Sequence, residues 1–134
     1  MSINNQNLNV IKALYEAINQ NDIVEAMKLF DTQIERVELI DLSSVGVFRG
    51  LTEMEAHLRK GRETWAEGSC TPERFTEINN KVVVFTHVRV RLKNHADWLE
   101  GQTTDVFALS KGKITEFRTY IDRDEALKWA GVIN

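Results

Sequence analysis

The chain has little to brace it and little to fasten it to a partner. It holds one cysteine, one proline and no long apolar run in 134 residues. With Cys70 as the single thiol, no disulfide can form within the chain, so packing must hold the fold. An unpaired thiol also suits a reducing compartment, and a cytoplasmic location is expected. No stretch approaches the roughly 18 consecutive apolar residues of a membrane span. Met1-Ser2-Ile3-Asn4-Asn5-Gln6 carries no basic segment leading into an apolar one, so neither a signal peptide nor a membrane partner is expected. Neither sign of charge dominates. The net charge is −3 and no Lys/Arg cluster interleaves with aromatics, so the footprint of a nucleic-acid binder is missing. Gly-x-Gly-x-x-Gly, Walker and Gly-x-Ser-x-Gly sequences are also missing, which removes support for nucleotide and serine-triad chemistry. His57, His87 and His95 fall in three different segments without ligand spacing, and no metal or cofactor is expected.

What remains is ordinary globular material, 43% hydrophobic and 28% charged, and residues 1–134 read as a single domain. Leu8, Ile11, Leu14, Tyr15 and Ile18 recur at helical spacing and predict a helix over about residues 7–20. Asn19-Gln20-Asn21 breaks it. Asp22, three before Glu25, opens a second short helix with Ile23, Ala26, Met27 and Phe30 on its buried stripe. From Ile34 to Leu42 the period changes to two, with Val37, Leu39 and Asp41 on one face and Glu38, Ile40 and Leu42 on the other. Ser43 to Gly46 reads as a turn and Val47 to Gly50 as a brief extended piece.

Thr52 and Glu55 form a capping-box pattern, which predicts a third helix over about residues 52–67 ended by Gly68. Met54, His57, Leu58, Gly61 and Trp65 share one of its faces. After Pro72 the chain reads as strands: Phe75 to Ile78, the turn Asn79-Asn80, Lys81 to Leu92, Trp98 to Leu109, and a last strand after Gly112. Asp122 caps a final short helix. The order is that of an α+β fold with its helices gathered on one side of a curved sheet.

These pieces together resemble the NTF2-like superfamily, in particular its SnoaL-like and ketosteroid-isomerase-related members. The carriers are Asn19-Gln20-Asn21-Asp22 with Leu29-Phe30, Phe48-Arg49-Gly50 opening a helix, and Gly112-Lys113-Ile114 followed by Arg118-Thr119-Tyr120-Ile121-Asp122. The resemblance implies an NTF2-like (cystatin-like) cone: a curved mixed or antiparallel sheet wrapped around a long helix, with two N-terminal helices and a small-molecule pocket inside. The family's isomerases keep their catalytic aspartate nine residues before the glycine that opens the third helix, and that count lands on Asp41. Counting forward from Phe30 lands on Glu38 instead. Asp41 is taken as the base and Glu38 as a solvated strand residue. A second family carboxyl, the one that stays protonated and donates to an oxyanion, corresponds to Asp105 in Asp105-Val106-Phe107-Ala108-Leu109. The position facing the cavity from the third helix is His57, a second donor or an alternative base. The isomerases' first-helix tyrosine corresponds to Leu14, with Tyr15 one step round the helix.

The resemblance therefore implies cofactor-independent proton transfer beside a carbonyl, with Asp41, Asp105 and His57 as catalytic residues. Tyr15, Phe48, Met54, Leu58, Trp65, Phe107, Phe117 and Thr119 are expected around the ligand, a small hydrophobic molecule. Two alternatives stand beside it. One is a non-catalytic binder of such a molecule. The other is a hydrolase like the epoxide hydrolases of this fold, whose aspartate–arginine–aspartate set Arg89 or Arg91 would complete with Asp105. In the strand Lys81 to Leu92, Val82, Val84, Thr86, Val88 and Val90 form one face and Val83, Phe85, His87, Arg89 and Arg91 the other. One face is expected to line the cone and the other to form the back of the sheet, where a homodimer is expected.

Overall fold

The computed structural model describes the backbone of residues 4–41 and 44–133, and the side chains of residues 6–39 and 45–133. Two helices come first, α1 (Asn4–Asn19) and α2 (Ile23–Met27), then β1 (Phe30–Asp41) and β2 (Ser44–Arg49). Helix α3 (Gly50–Glu63) leads into β3 (Trp65–Ile78), β4 (Lys81–Leu92), β5 (Leu99–Ser110) and β6 (Lys113–Tyr120), and α4 (Arg123–Ala130) closes the chain. The six strands form one sheet in the order β2-β1-β6-β5-β4-β3. Only β1 and β6 run parallel; every other neighbouring pair is antiparallel. The fold is α+β with a curved mixed sheet, as the sequence indicated. No helix among the described residues is long and apolar enough to cross a membrane.

Local chemistry explains most of the boundaries. Asn21 takes a left-handed φ of 58° and ends α1, and the Asp22 carboxylate accepts from Glu25 N at 3.2 Å to start α2. Asp122 caps α4 in the same way, accepting from Asp124 N and Glu125 N. Helix α3 departs from expectation at both ends. Gly50, at φ 83°, lets β2 turn straight into the helix, so α3 starts two residues before Thr52. The Thr52–Glu55 box does not operate; Glu53 accepts from Arg49 N at 2.9 Å instead. At the other end α3 stops at Glu63, and Trp65 already pairs with Leu92.

Gly68 is therefore no helix stop. It lies in β3 beside a register shift, where an added Cβ would come within 2.3 Å of Arg89 O. Pro72 also falls inside β3, on an edge strand and at a second register shift, where its missing N–H costs no ladder bond.

The pairing register sorts the side chains into two faces. Arg36 pairs with Phe117 and Glu38 with Thr119; Asp105 pairs with both Thr119 and Val84; Phe107 pairs with Phe117 and Val82. Directly opposed residues share a face, so these all point to the concave side, toward α1 and α3. There Ile11, Leu14, Ile34, Met54, Val82, Val84, Phe107 and Ile114 make the main core. The opposite parity, with Val37 beside Arg118, Leu39 beside Tyr120 and Val83 beside Val106, points to the convex side. Helix α4 lies over part of that side, so the helices are not all gathered on one side of the sheet as expected; Ala126 and Ala130 pack there with Val83, Val106 and Tyr120. On the same side Phe85 lies under the guanidinium of Arg123 at the start of α4, and Trp98 lies under that of Arg89.

Candidate functional site

Beyond the main core the concave face becomes polar. Asp105 sits in the middle of the sheet with only 5% of its surface exposed. Three hydroxyls from three elements converge on its carboxyl. Tyr15 of α1 donates to Oδ2 at 2.5 Å, Thr119 of β6 donates to Oδ1 at 2.7 Å, and Thr86 of β4 donates to Oδ2 at 3.4 Å. Tyr15 Oη and Thr86 Oγ1 are themselves 3.2 Å apart. Burial pushes the Asp105 carboxyl above its usual range, against the pull of the Tyr15 hydrogen bond, the Arg36 charge and the two threonines. Burial, with Asp105 close by, pushes the Tyr15 phenol up as well. Each hydroxyl can donate or accept. The carboxyl can thus hold or release a proton while its neighbours rotate their hydrogens and every heavy-atom contact survives.

A second cluster comes from β1 and α3. The Arg36 guanidinium lies over the Phe117 ring at 3.9 Å and donates from Nη1 to the carbonyls of Val37 and Phe117 at 3.1 and 3.2 Å. Its Nη2 donates to Glu38 Oε2 at 3.1 Å. The other oxygen of Glu38, Oε1, is 3.1 Å from His57 Nε2. The His57 hydrogen bond, together with the Arg36 charge, holds the Glu38 carboxyl below its usual range despite burial. An ionised carboxylate only accepts, so His57 carries a hydrogen on Nε2, and in the neutral ring Nδ1 is the basic nitrogen. The imidazole is stacked on Phe48, with centroids 3.8 Å apart.

Both clusters line one cavity of about 370 Å³ between the concave sheet and α3. Ile18, Leu58, Val88 and Phe117 supply much of its apolar wall. Arg62 closes another side: its guanidinium lies 4.6 Å from the centre of the Trp65 ring and donates to Ile18 O and Asn19 O at 2.8 and 3.2 Å. Those are carbonyls of the last turn of α1, which have no partner within the helix. Cys70 also borders the cavity, where burial, with Asp105 adding, pushes its thiol up to about 12. No group of residues suited to a metal ion occurs among the described residues.

The SnoaL-like domain profile matches residues 11–117, most of the chain. The chain belongs to the SnoaL-like family. Among curated proteins, none matches it significantly. Solved structures share its fold at low identity. An NTF2-like protein of unknown function from Burkholderia pseudomallei K96243 is 21% identical with a TM-score of 0.78, over 96% of this chain and 97% of that one. TerC, co-crystallised with polyporic acid, is 18% identical with a TM-score of 0.76, over 94% and 98%. An LEH-like epoxide hydrolase from M. tuberculosis is 14% identical with a TM-score of 0.72, over 92% and 88%.

In this SnoaL-like protein the expected residues fall into three groups. Tyr15, His57, Leu58, Trp65, Asp105, Phe117 and Thr119 border the cavity. Phe48, Met54 and Phe107 do not. Phe48 stands behind His57 in a separate groove. Met54, fully buried, is drawn into the main core on the α3 stripe one turn before Leu58, and Phe107 is wedged between Tyr15 and Phe117. The side chain of Asp41 lies outside the described residues.

Other expectations are corrected by geometry. Glu38 is not a solvated strand residue: its side chain is 25% exposed and faces the cavity between Arg36 and His57. Tyr15, expected only around the ligand, also reaches Asp105 with its hydroxyl; Leu14, the position matched to the family's tyrosine, is wholly buried in the core. Arg89 and Arg91 pair with Glu100 and Glu67 on the other parity of β4 and do not border the cavity. The arginine that does so from the sheet is Arg36, which sequence reasoning misses. A signal exists all the same: Arg36 and Glu38 put two opposite charges at alternate positions of β1, between Ile34 and Ile40 in the sequence. Thr86 carries a fainter one, as the single hydroxyl in the valine row of β4.

Proposed function

We propose that this SnoaL-like protein performs proton transfer beside a carbonyl of a small, mostly apolar molecule, using side chains alone. The observation that carries the reading is Asp105: a buried carboxyl, raised by burial and ringed by hydroxyls, in the same cavity as a carboxylate-oriented imidazole. His57, through Nδ1, takes a proton from the carbon next to the carbonyl. Glu38 fixes its tautomer and supports the imidazolium that results. Negative charge then gathers on the carbonyl oxygen, where protonated Asp105 and its Tyr15 partner supply the hydrogen-bond donors. In ketosteroid isomerase a neutral aspartic acid donates to an oxyanion by the same physics. This assignment replaces Asp41 with the Glu38–His57 pair on the basic side. TerC, a relative in fold, was crystallised with polyporic acid, which supports a small organic ligand in such a cone. A homodimer through the convex face left open by α4 accompanies this reading, supported by Trp98 at 37% exposure.

The test is deuterium exchange at the α-carbon of a panel of aryl and cyclic ketones in D₂O, followed by proton NMR. Wild type is expected to exchange at least one ketone well above buffer, and His57→Gln and Asp105→Asn each to lose about 100-fold or more. Binding of a ketone with no exchange above buffer would leave a carrier rather than a catalyst.

A hydrolytic second reading is favoured by one observation. Arg36 is buried on the same wall as two acids and bonded to Glu38; burial lowers its guanidinium, against the pull of the Glu38 and Asp105 charges. The LEH-like epoxide hydrolase shares the fold. Release of a diol from styrene oxide, lost in Arg36→Met, would favour it over proton transfer.

A further inference from the structure

Gly61 is a costly residue at its position. It lies inside α3 with an ordinary helical backbone, and glycine is among the poorest helix formers. No crowding explains it, since a Cβ built there meets nothing within 4 Å. Nor does the end of the helix require it, because the cap at Thr64 is made by bonds to Gly61 O from Thr64 N and Thr64 Oγ1 at 3.2 and 2.6 Å, which any residue would accept. The open space is what the glycine preserves.

That space has two sides. Gly61 and His57, one helical turn apart, border both the inner cavity and an outer groove of about 710 Å³ between α3 and β2. The groove is floored by Val47, Phe48 and Ala56, with Lys60 and Glu53 at its edges. Helical side chains lean back over the turn before their own Cα. A long side chain at position 61 would therefore extend over the turn that carries His57 and fill the junction.

We propose that Gly61 is the threshold between these two spaces, and that the molecule this protein takes is elongated. Its carbonyl end lies in the cavity at Asp105, and its apolar far end crosses Gly61 into the α3–β2 groove. The inference rests on the carbonyl reading above and adds to it the length of the ligand. A cavity of about 370 Å³ is at the small end for ligand pockets, whereas cavity and groove together take a molecule of ordinary ligand size. The groove's occupant is the tail of the same molecule, because the two spaces share His57 and Gly61 as common walls.

Two ketones test it by calorimetric titration of the full chain: compact 2-acetylnaphthalene and its 6-hexyloxy derivative, identical at the carbonyl end. Wild type is expected to bind the long ketone at least about tenfold more tightly, since burial of two methylenes suffices for that. Gly61→Leu should reduce the preference to less than about threefold, by the same methylene arithmetic. Gly61→Ala should raise the melting temperature by about 2–5 °C, because only helix propensity acts at an uncrowded site. A melting temperature lowered by alanine would show a structural need for glycine and overturn the proposal. So would a wild type that binds the two ketones equally, or a preference that survives leucine; in both cases the cavity reading would stand. If wild type bound neither ketone, the carbonyl reading and the threshold would fall together.

Discussion

Burial and hydrogen bonding pull the Asp105 carboxyl in opposite directions, and the proposed chemistry depends on burial winning. The perturbation is Asp105→Asn, read as stability against pH. The amide is nearly isosteric with the neutral acid. It can still accept from Thr119 through its oxygen and donate to the oxygens of Tyr15 and Thr86, so at low pH the substitution should cost little. The raised carboxyl makes the folded protein bind more protons than the unfolded chain between the ordinary aspartate value, about 3.9, and the higher folded value. Stability changes with pH as the protons bound by the unfolded state minus those bound by the folded state, a difference that is negative here. Wild type should therefore lose stability relative to Asp105→Asn as pH rises through that window. One proton sets the slope at about 1.4 kcal/mol per pH unit, with a plateau above the folded value. Urea unfolding of both proteins at half-unit steps from pH 4 to 9 gives the difference curve, in which contributions common to both, including that of Glu38, cancel. A curve of opposite sign, with wild type gaining on the variant as pH rises, would refute the reasoning. It would mean that Tyr15, Thr119, Thr86 and Arg36 stabilise the carboxylate more than burial penalises it, leaving an ionised acid unable to donate.

Glu38 should behave in the opposite sense. Its carboxyl is lowered by the His57 hydrogen bond and the Arg36 charge, so its contribution is fully present above the unfolded glutamate value and fades as pH falls through the folded one. Glu38→Gln should cost about 1.5–3 kcal/mol at pH 7 by urea unfolding, the range for hydrogen bonds to charged groups, and a cost near zero would show that Arg36 does not depend on it. Cys70, pushed up to about 12, should be nearly inert to iodoacetamide in the folded protein at pH 8. Its thiolate fraction there is about 10⁻⁴, against roughly a quarter for an ordinary thiol, so unfolding in urea should speed labelling by about 1,000-fold or more. Comparable rates in the two states would mean that the thiol is not buried against Asp105. Met54→Ala should lower stability by about 2–5 kcal/mol and leave ketone binding intact, because its side chain belongs to the main core and not to the cavity wall.

Sequence periodicity carries the architecture, because each element obeys a local rule that tertiary contacts do not override: the Ile11–Ile18 stripe of α1, the Asp22 and Asp122 caps, the alternation of β4. It fails where a distant strand decides the outcome. Residues 65–74 look unlike a strand, with Gly68 and Pro72 inside them, and only the long pairing with β4 makes them β3. The site is half legible for a related reason. On β1 the apolar parity of Val37 and Leu39 reads as the inner face, which is sound for a sheet with one side in water. Here α1 and α3 cover the concave side while α4 covers part of the convex side, so apolar residues mark both faces and lose their directional meaning. Polar residues then hold the information. A charge has no reason to sit between two covered faces unless a partner or a cavity receives it, and Arg36 and Glu38 sit there two residues apart, on the parity that faces Phe117, Thr119 and, through them, Asp105. In a sheet that carries helices on both sides, the inner wall is better found from misplaced charge on a strand than from greasy neighbours.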